Sequence, residues 1–120
     1  DQSVDLVFHA MEHATGGEVF VRKSPASTVI DLARAVAAKY SPRRLDHPVQ
    51  TVGIRPGEKI HEILVNEYEM QRVTEREDCF VIHPEYRKHD HPTPKPLGEE
   101  YTSENTTRLT TPEEIGTLLD

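Results

Sequence analysis

Val4, Val7, Phe8 and Met11 recur at i, i+3, i+4 and i+7, a spacing that lines up apolar side chains on one side of a helix and predicts an amphipathic α-helix ended by Gly16 and Gly17. Val19 to Val21 is short, apolar and rich in β-branched residues, and predicts a strand. A turn around Pro25 follows. Thr28 with Asp31 three residues on has the form of a capping box, after which Ile30, Ala33, Ala37 and Tyr40 keep helical spacing until Ser41 and Pro42 close the helix. Val49 to Ile54 reads as a second strand. Ile60, Ile63 and Leu64 form the apolar side of a short helix, Asn66 to Glu77 a charged short helix or turn, and Cys79 to Ile82 a strand ended by His83 and Pro84. Glu85 to Glu100, with prolines at 92, 94 and 96, predicts an extended connector without packing power. Thr111, Pro112 and Glu114 then open a terminal helix carrying Ile115, Leu118 and Leu119.

Strands alternating with helices predict an α/β class, with too few strands for a complete doubly wound sheet. At 120 residues the chain is one domain's worth, expected to divide into an ordered part over 1–84 and a connector with its tail over 85–120. Hydrophobic residues make up 35% and charged residues 29%, polar for a self-sufficient globule. The net charge of -7 opposes nonspecific affinity for nucleic acid or an anionic membrane surface. Any phosphate-bearing ligand must therefore be held by local cations. With Cys79 alone, no intrachain disulfide can form, and with neither a membrane-length apolar run nor a signal core the expected setting is cytoplasmic. Opening at Asp1 within a helical pattern, the chain reads as a piece of a longer protein.

The segment Ile54 to Val65, IRPGEKIHEILV, sets an arginine, a Pro-Gly turn and an acid between a β-run and a helix. Pro56 fixes its own φ and Gly57 tolerates a positive one, so Arg55 and Glu58 are aimed from a stiff corner. The guanidinium fork matches two phosphate oxygens at once. Glu58, acceptor-only when ionised, suits the vicinal hydroxyls of a ribose. The same composition also suits a β-to-α corner whose Arg55 and Glu58 are solvated and inert.

The string resembles the RPGEK signature of the UDP-N-acetylglucosamine 4,6-dehydratases, polysaccharide-biosynthesis enzymes of the extended short-chain dehydrogenase/reductase group. GGEVFVRKSPASTVIDLARAV, from Gly16 to Val36, resembles a second family segment, and YTSENTTRL, from Tyr101 to Leu109, resembles the family's tail motif. The resemblance implies that the chain is the small C-terminal lobe that binds the UDP-sugar, with Arg55 on the phosphates, Glu58 on the ribose, and Lys23 and Lys59 adding positive potential. It also implies NAD(P) in the parent enzyme, bound by a Rossmann domain outside this chain, and it leaves homo-oligomerisation open. Arg22 stands where many relatives carry Pro or Gln.

Neither the GxGxxG dinucleotide fingerprint nor the family's Tyr-x-x-x-Lys or Met-x-x-x-Lys pair occurs: Tyr40, Tyr68, Tyr86 and Tyr101 all lack a lysine four residues on. No catalytic residue and no turnover are therefore expected of this chain alone. No metal site is expected either, since His83, His89, Asp90 and His91 flank or occupy a proline-rich connector and His9 with His13 lacks a third ligand. His61 reads as a helix-surface residue and Cys79 as a small buried hydrophobe. The rival expectation is a noncatalytic α/β module that docks a protein partner through its acidic surface and connector.

Overall fold

The structure, a computed structural model, describes residues 2–86 and 98–119, so most of the expected connector, with His89, Asp90 and His91, lies outside the described residues. The chain divides into two compact units, Asp1–Ser24 with Glu62–Asn105, and Pro25–His61 with Thr106–Asp120. Each is thus built from two separated stretches, a different line of division from a boundary after residue 84.

The first unit begins with α1 (Gln2–His13) and β1 (Val19–Arg22). Between them Gly16 and Gly17 both have positive φ, and a Cβ on Gly17 would come within 2.7 Å of the Tyr86 hydroxyl, so glycine is required there by conformation and by space. The unit continues through β2 (Ile63–Val65), α3 (Glu67–Met70), β3 (Val73–Glu75), β4 (Cys79–Ile82) and β5 (Tyr101–Thr102). β4 lies between β1 and β3, antiparallel to both, with Val81 opposite Phe20 on one side and Thr74 on the other. Because β4 is central, all four of its residues are buried, which explains its unbroken apolar sequence. Phe80 and Ile82 join Val65, Val73 and Tyr101 in the core, with the Phe80 and Tyr101 rings 4.8 Å apart. Burial pushes the Cys79 thiol up from its ordinary pKa, as a small inert hydrophobe requires.

β2 pairs antiparallel with β5. That pairing corrects the expected helix over 60–64: Ile63 to Val65 is a strand because its backbone finds a partner in Tyr101 and Thr102, and Val65 is completely buried. Asn66 caps α3, taking the amide protons of Tyr68 and Glu69 on Oδ1, while the Glu69 carboxylate takes that of Asn66 at 3.0 Å. Asn105, in the tail motif, holds the turn after β5 by accepting from Thr102 N at 2.8 Å and donating to the Glu100 carbonyl at 2.7 Å.

The second unit is built on α2 (Val29–Tyr40) and α4 (Pro112–Gly116). Both expected caps are present. Thr28 accepts from Asp31 N, and Thr111 forms a full capping box with Glu114 behind Pro112. Ala35 and Ala37 of α2 and Ile115 of α4 are buried, and the Tyr40 hydroxyl donates to the Leu119 carbonyl at 3.1 Å. Residues 49–54 form no strand, which corrects the second expectation for this region. Val49, Val52 and Ile54 are exposed, and no described strand pairs with them, so an apolar β-branched run alone does not make a ladder.

The turn between α1 and β1 carries a titratable clamp. Glu18 accepts from the Thr15 hydroxyl and, at 2.7 Å, from Gly16 N. The Thr15 bond, foremost, and the backbone bonds lower its pKa from 4.5 to about 2. A depressed carboxylate adds stability that is complete above the ordinary value and is lost as the pH falls through about 2. Thr15→Val is expected to move the Glu18 titration, followed by NMR of its carboxyl carbon, back toward 4.5; an unchanged midpoint would contradict this assignment.

Candidate functional site

Arg55, Glu58 and Lys59 lie in the irregular stretch between the 3-10 turn at Arg44–Asp46 and β2, all exposed. Order there cannot come from burial and comes from hydrogen bonds. Glu58 N donates to the Arg55 carbonyl at 3.1 Å, and Gly57 has φ of +88°, the geometry of a type II turn with proline and glycine at its two central positions. Arg55 N in turn donates to Glu58 Oε2 at 2.8 Å. The turn is closed twice, once through the backbone and once through a carboxylate.

This arrangement leaves the guanidinium of Arg55 and the ammonium of Lys59 without an acidic partner among the described residues. Two cations against one carboxylate give the elbow a net positive charge in a chain of net charge -7. Lys23 is differently placed. It belongs to the other unit, its Nζ lies 2.6 Å from Glu75 Oε1 and 4.9 Å from the centre of the Phe80 ring, and its charge is thereby matched within its own sheet. His61 is half-buried just before β2 and is on no helix, so the expected helix-surface position is corrected.

Among the described residues no cluster of His, Cys, Asp and Glu has the makings of a metal site. His9 and His13 stack on each other at 4.2 Å, His13 Nδ1 contacts the His9 carbonyl, and His9 sits edge-on to Phe20. No described helix is long and apolar enough to cross a membrane.

Two groups were missed at the level of sequence. Glu58 acts on the backbone as well as facing outward, and its spacing of three from Arg55 is the signal, being that of a capping box. Ser103 accepts Glu62 N on its hydroxyl at 2.9 Å and donates its own amide to the Glu62 carbonyl at 2.9 Å, tying the tail motif to the segment entering β2. Its signal was the motif itself, read as family likeness instead of as a hydrogen-bond pair.

The fold is of the α/β class, that of a small lobe of an extended short-chain dehydrogenase/reductase: the structure of Pen from Bacillus thuringiensis superimposes with a TM-score of 0.74 and 27% identity over 98% of this chain and 34% of that one. Relatives of similar extent include the UDP-glucose 4-epimerases of Rickettsia rickettsii and Rickettsia bellii, 38% and 36% identical over 98% of the chain and 35% of their own length. A Methanocaldococcus jannaschii protein described as an uncharacterized membrane protein is 39% identical over 70% of the chain and 26% of its length. The chain spans about a third of the length of the epimerases it matches. Residues 1–84 match the model of the polysaccharide biosynthesis protein family, and the chain belongs to that family.

The type II turn makes a specific demand on Gly57. A Cβ there would meet nothing within 4 Å, so the obstacle to substitution is its positive φ alone. Gly57→Ala is expected to weaken the turn by about 1 to 2 kcal/mol, and Gly57→Asn by less. Faster amide exchange at Glu58 in Gly57→Ala reports this, and an unchanged rate would contradict it.

Proposed function

We propose that this chain is the UDP-sugar recognition part of an NAD(P)-dependent UDP-N-acetylglucosamine 4,6-dehydratase, with or without C5 inversion, in surface polysaccharide biosynthesis. The observation that carries the proposal is the Arg55 guanidinium, presented, without an acidic partner among the described residues, from a turn closed by two hydrogen bonds. Family membership and relatives named for a UDP-sugar reaction support it. Arg55 takes the diphosphate through its fork, Glu58 offers its remaining oxygen to the ribose diol, and Lys59 adds potential beside them. Lys23 is engaged by Glu75 within its own unit and is not assigned to this turn. Holding the remote nucleotide aids catalysis, because that binding energy orients the hexose for reaction.

NAD(P), when bound, supplies the oxidation and later reduction of the sugar. The residues of this chain do not fit it: no glycine-rich turn joins a strand to a helix in the GxGxxG form, and no Tyr-x-x-x-Lys pair is present. No step of the redox chemistry is assigned to them. The proposed surroundings are a Rossmann domain bearing the cofactor and a cytoplasmic setting. A second reading, favoured by the epimerase relatives, is 4-epimerisation of a UDP-hexose, in which the elbow would do the same work. Product analysis after incubation of the proposed parent enzyme, its cofactor-binding domain included, with UDP-N-acetylglucosamine and with UDP-glucose separates the two, since only the dehydratase releases water.

Arg55→Ala is expected to weaken UDP binding, measured by calorimetry on the protein as encoded, by about 1.5 to 3 kcal/mol, as for a charge-assisted contact. Unchanged affinity would remove the site.

A further inference from the structure

We infer that Glu58 is a positioning residue for Arg55, setting the aim of the guanidinium through the backbone, and that it therefore governs binding of the phosphates as well as of the ribose. The inference rests on the diphosphate reading of Arg55 and deepens it. The bond from Arg55 N to Glu58 Oε2, at 2.8 Å, reaches the residue whose side chain is to be aimed.

The chain repeats this device. Glu69 Oε2 accepts from Asn66 N at 3.0 Å and Glu114 Oε2 from Thr111 N at 3.1 Å, each a glutamate three residues beyond the amide it holds. In both those cases the carboxylate fixes the first turn of a helix, α3 or α4. For Glu114 the bonds from the Thr110 and Thr111 amides lower the carboxyl pKa, so the clamp works in the ionised form. At Arg55 no helix follows, and what the carboxylate fixes is the turn itself. With every residue from 51 to 60 exposed, packing does not hold this backbone. Removing the carboxylate leaves a single backbone bond across a Pro-Gly turn, and the fork would then have to be ordered anew on each binding event.

A carboxylate that only touches ribose and one that aims Arg55 differ in what they do to a ligand without ribose. Inorganic pyrophosphate and UDP are therefore titrated against the protein as encoded and its Glu58→Ala, Glu58→Gln and Arg55→Ala variants. The positioning role predicts that Glu58→Ala weakens pyrophosphate by about tenfold and UDP by at least as much, the lost ribose contact adding to the UDP loss. Glu58→Gln, which keeps an acceptor for Arg55 N, recovers most of that loss. The Arg55 amide proton, moved downfield by its carboxylate bond, should shift upfield in Glu58→Ala and much less in Glu58→Gln. Loss of UDP affinity with pyrophosphate affinity intact would overturn the inference, as would an Arg55 amide indifferent to Glu58→Ala. Should Arg55→Ala leave both ligands bound as before, the diphosphate reading fails and the phosphate part of this inference with it. The amide resonance still decides whether the clamp exists.

Discussion

The hydrogen bond from the Arg55 amide to the Glu58 carboxylate is the constraint on which the functional account turns. Ordering a backbone residue costs about 1 to 2 kcal/mol, and an exposed loop has no apolar burial with which to offset that cost. Residues 51–60 are all exposed, yet Arg55 to Glu58 form a defined turn. Three features combine to hold it: a proline that fixes one torsion, a glycine that accepts a positive φ, and a carboxylate that closes the ring from outside. A binding group on such a corner is pre-aimed while remaining in water, where a large anionic ligand can reach it.

Charge is distributed to the same end. The chain as a whole repels polyanions, with its net charge of -7, but its cations are not equivalent. Lys23 is engaged by Glu75 and rests on the Phe80 ring, Arg72 pairs with Glu85, and Arg34 lies near Asp31. Those pairs serve the sheet and the helix that carry them. Among the described residues Arg55 and Lys59 stand outside such pairs, so the turn keeps two cations that no carboxylate matches. On the proposed function, a ligand bearing a compact diphosphate would be favoured there over an extended polyanion, which would also meet the acidic surface.

How much of this was legible in the sequence follows from the range of each signal. α1, α2 and α4 were legible because periodicity and caps are local: Thr28 with Asp31 and Thr111 with Glu114 each fixed a helix start from residues three apart. β4 was legible as an unbroken apolar run. The segment from 49 to 65 was not, because β-branched apolar residues suit a strand only where a neighbour pairs with them. Val49 to Ile54 has no such neighbour among the described residues, whereas Ile63 to Val65 finds one in Tyr101 and Thr102, some forty positions away. No short window contains that information. Of the site, the turn and its cations were visible, while the second task of Glu58 was hidden because a side chain's choice between its own backbone and a ligand depends on geometry.

The central claim, that this elbow grips a nucleotide diphosphate, is tested most directly by a crystal structure of the protein with UDP bound. The account predicts both phosphates within hydrogen-bonding reach of the Arg55 guanidinium, with Glu58 still accepting from the Arg55 amide. A diphosphate bound elsewhere, with Arg55 left in solvent, would contradict it.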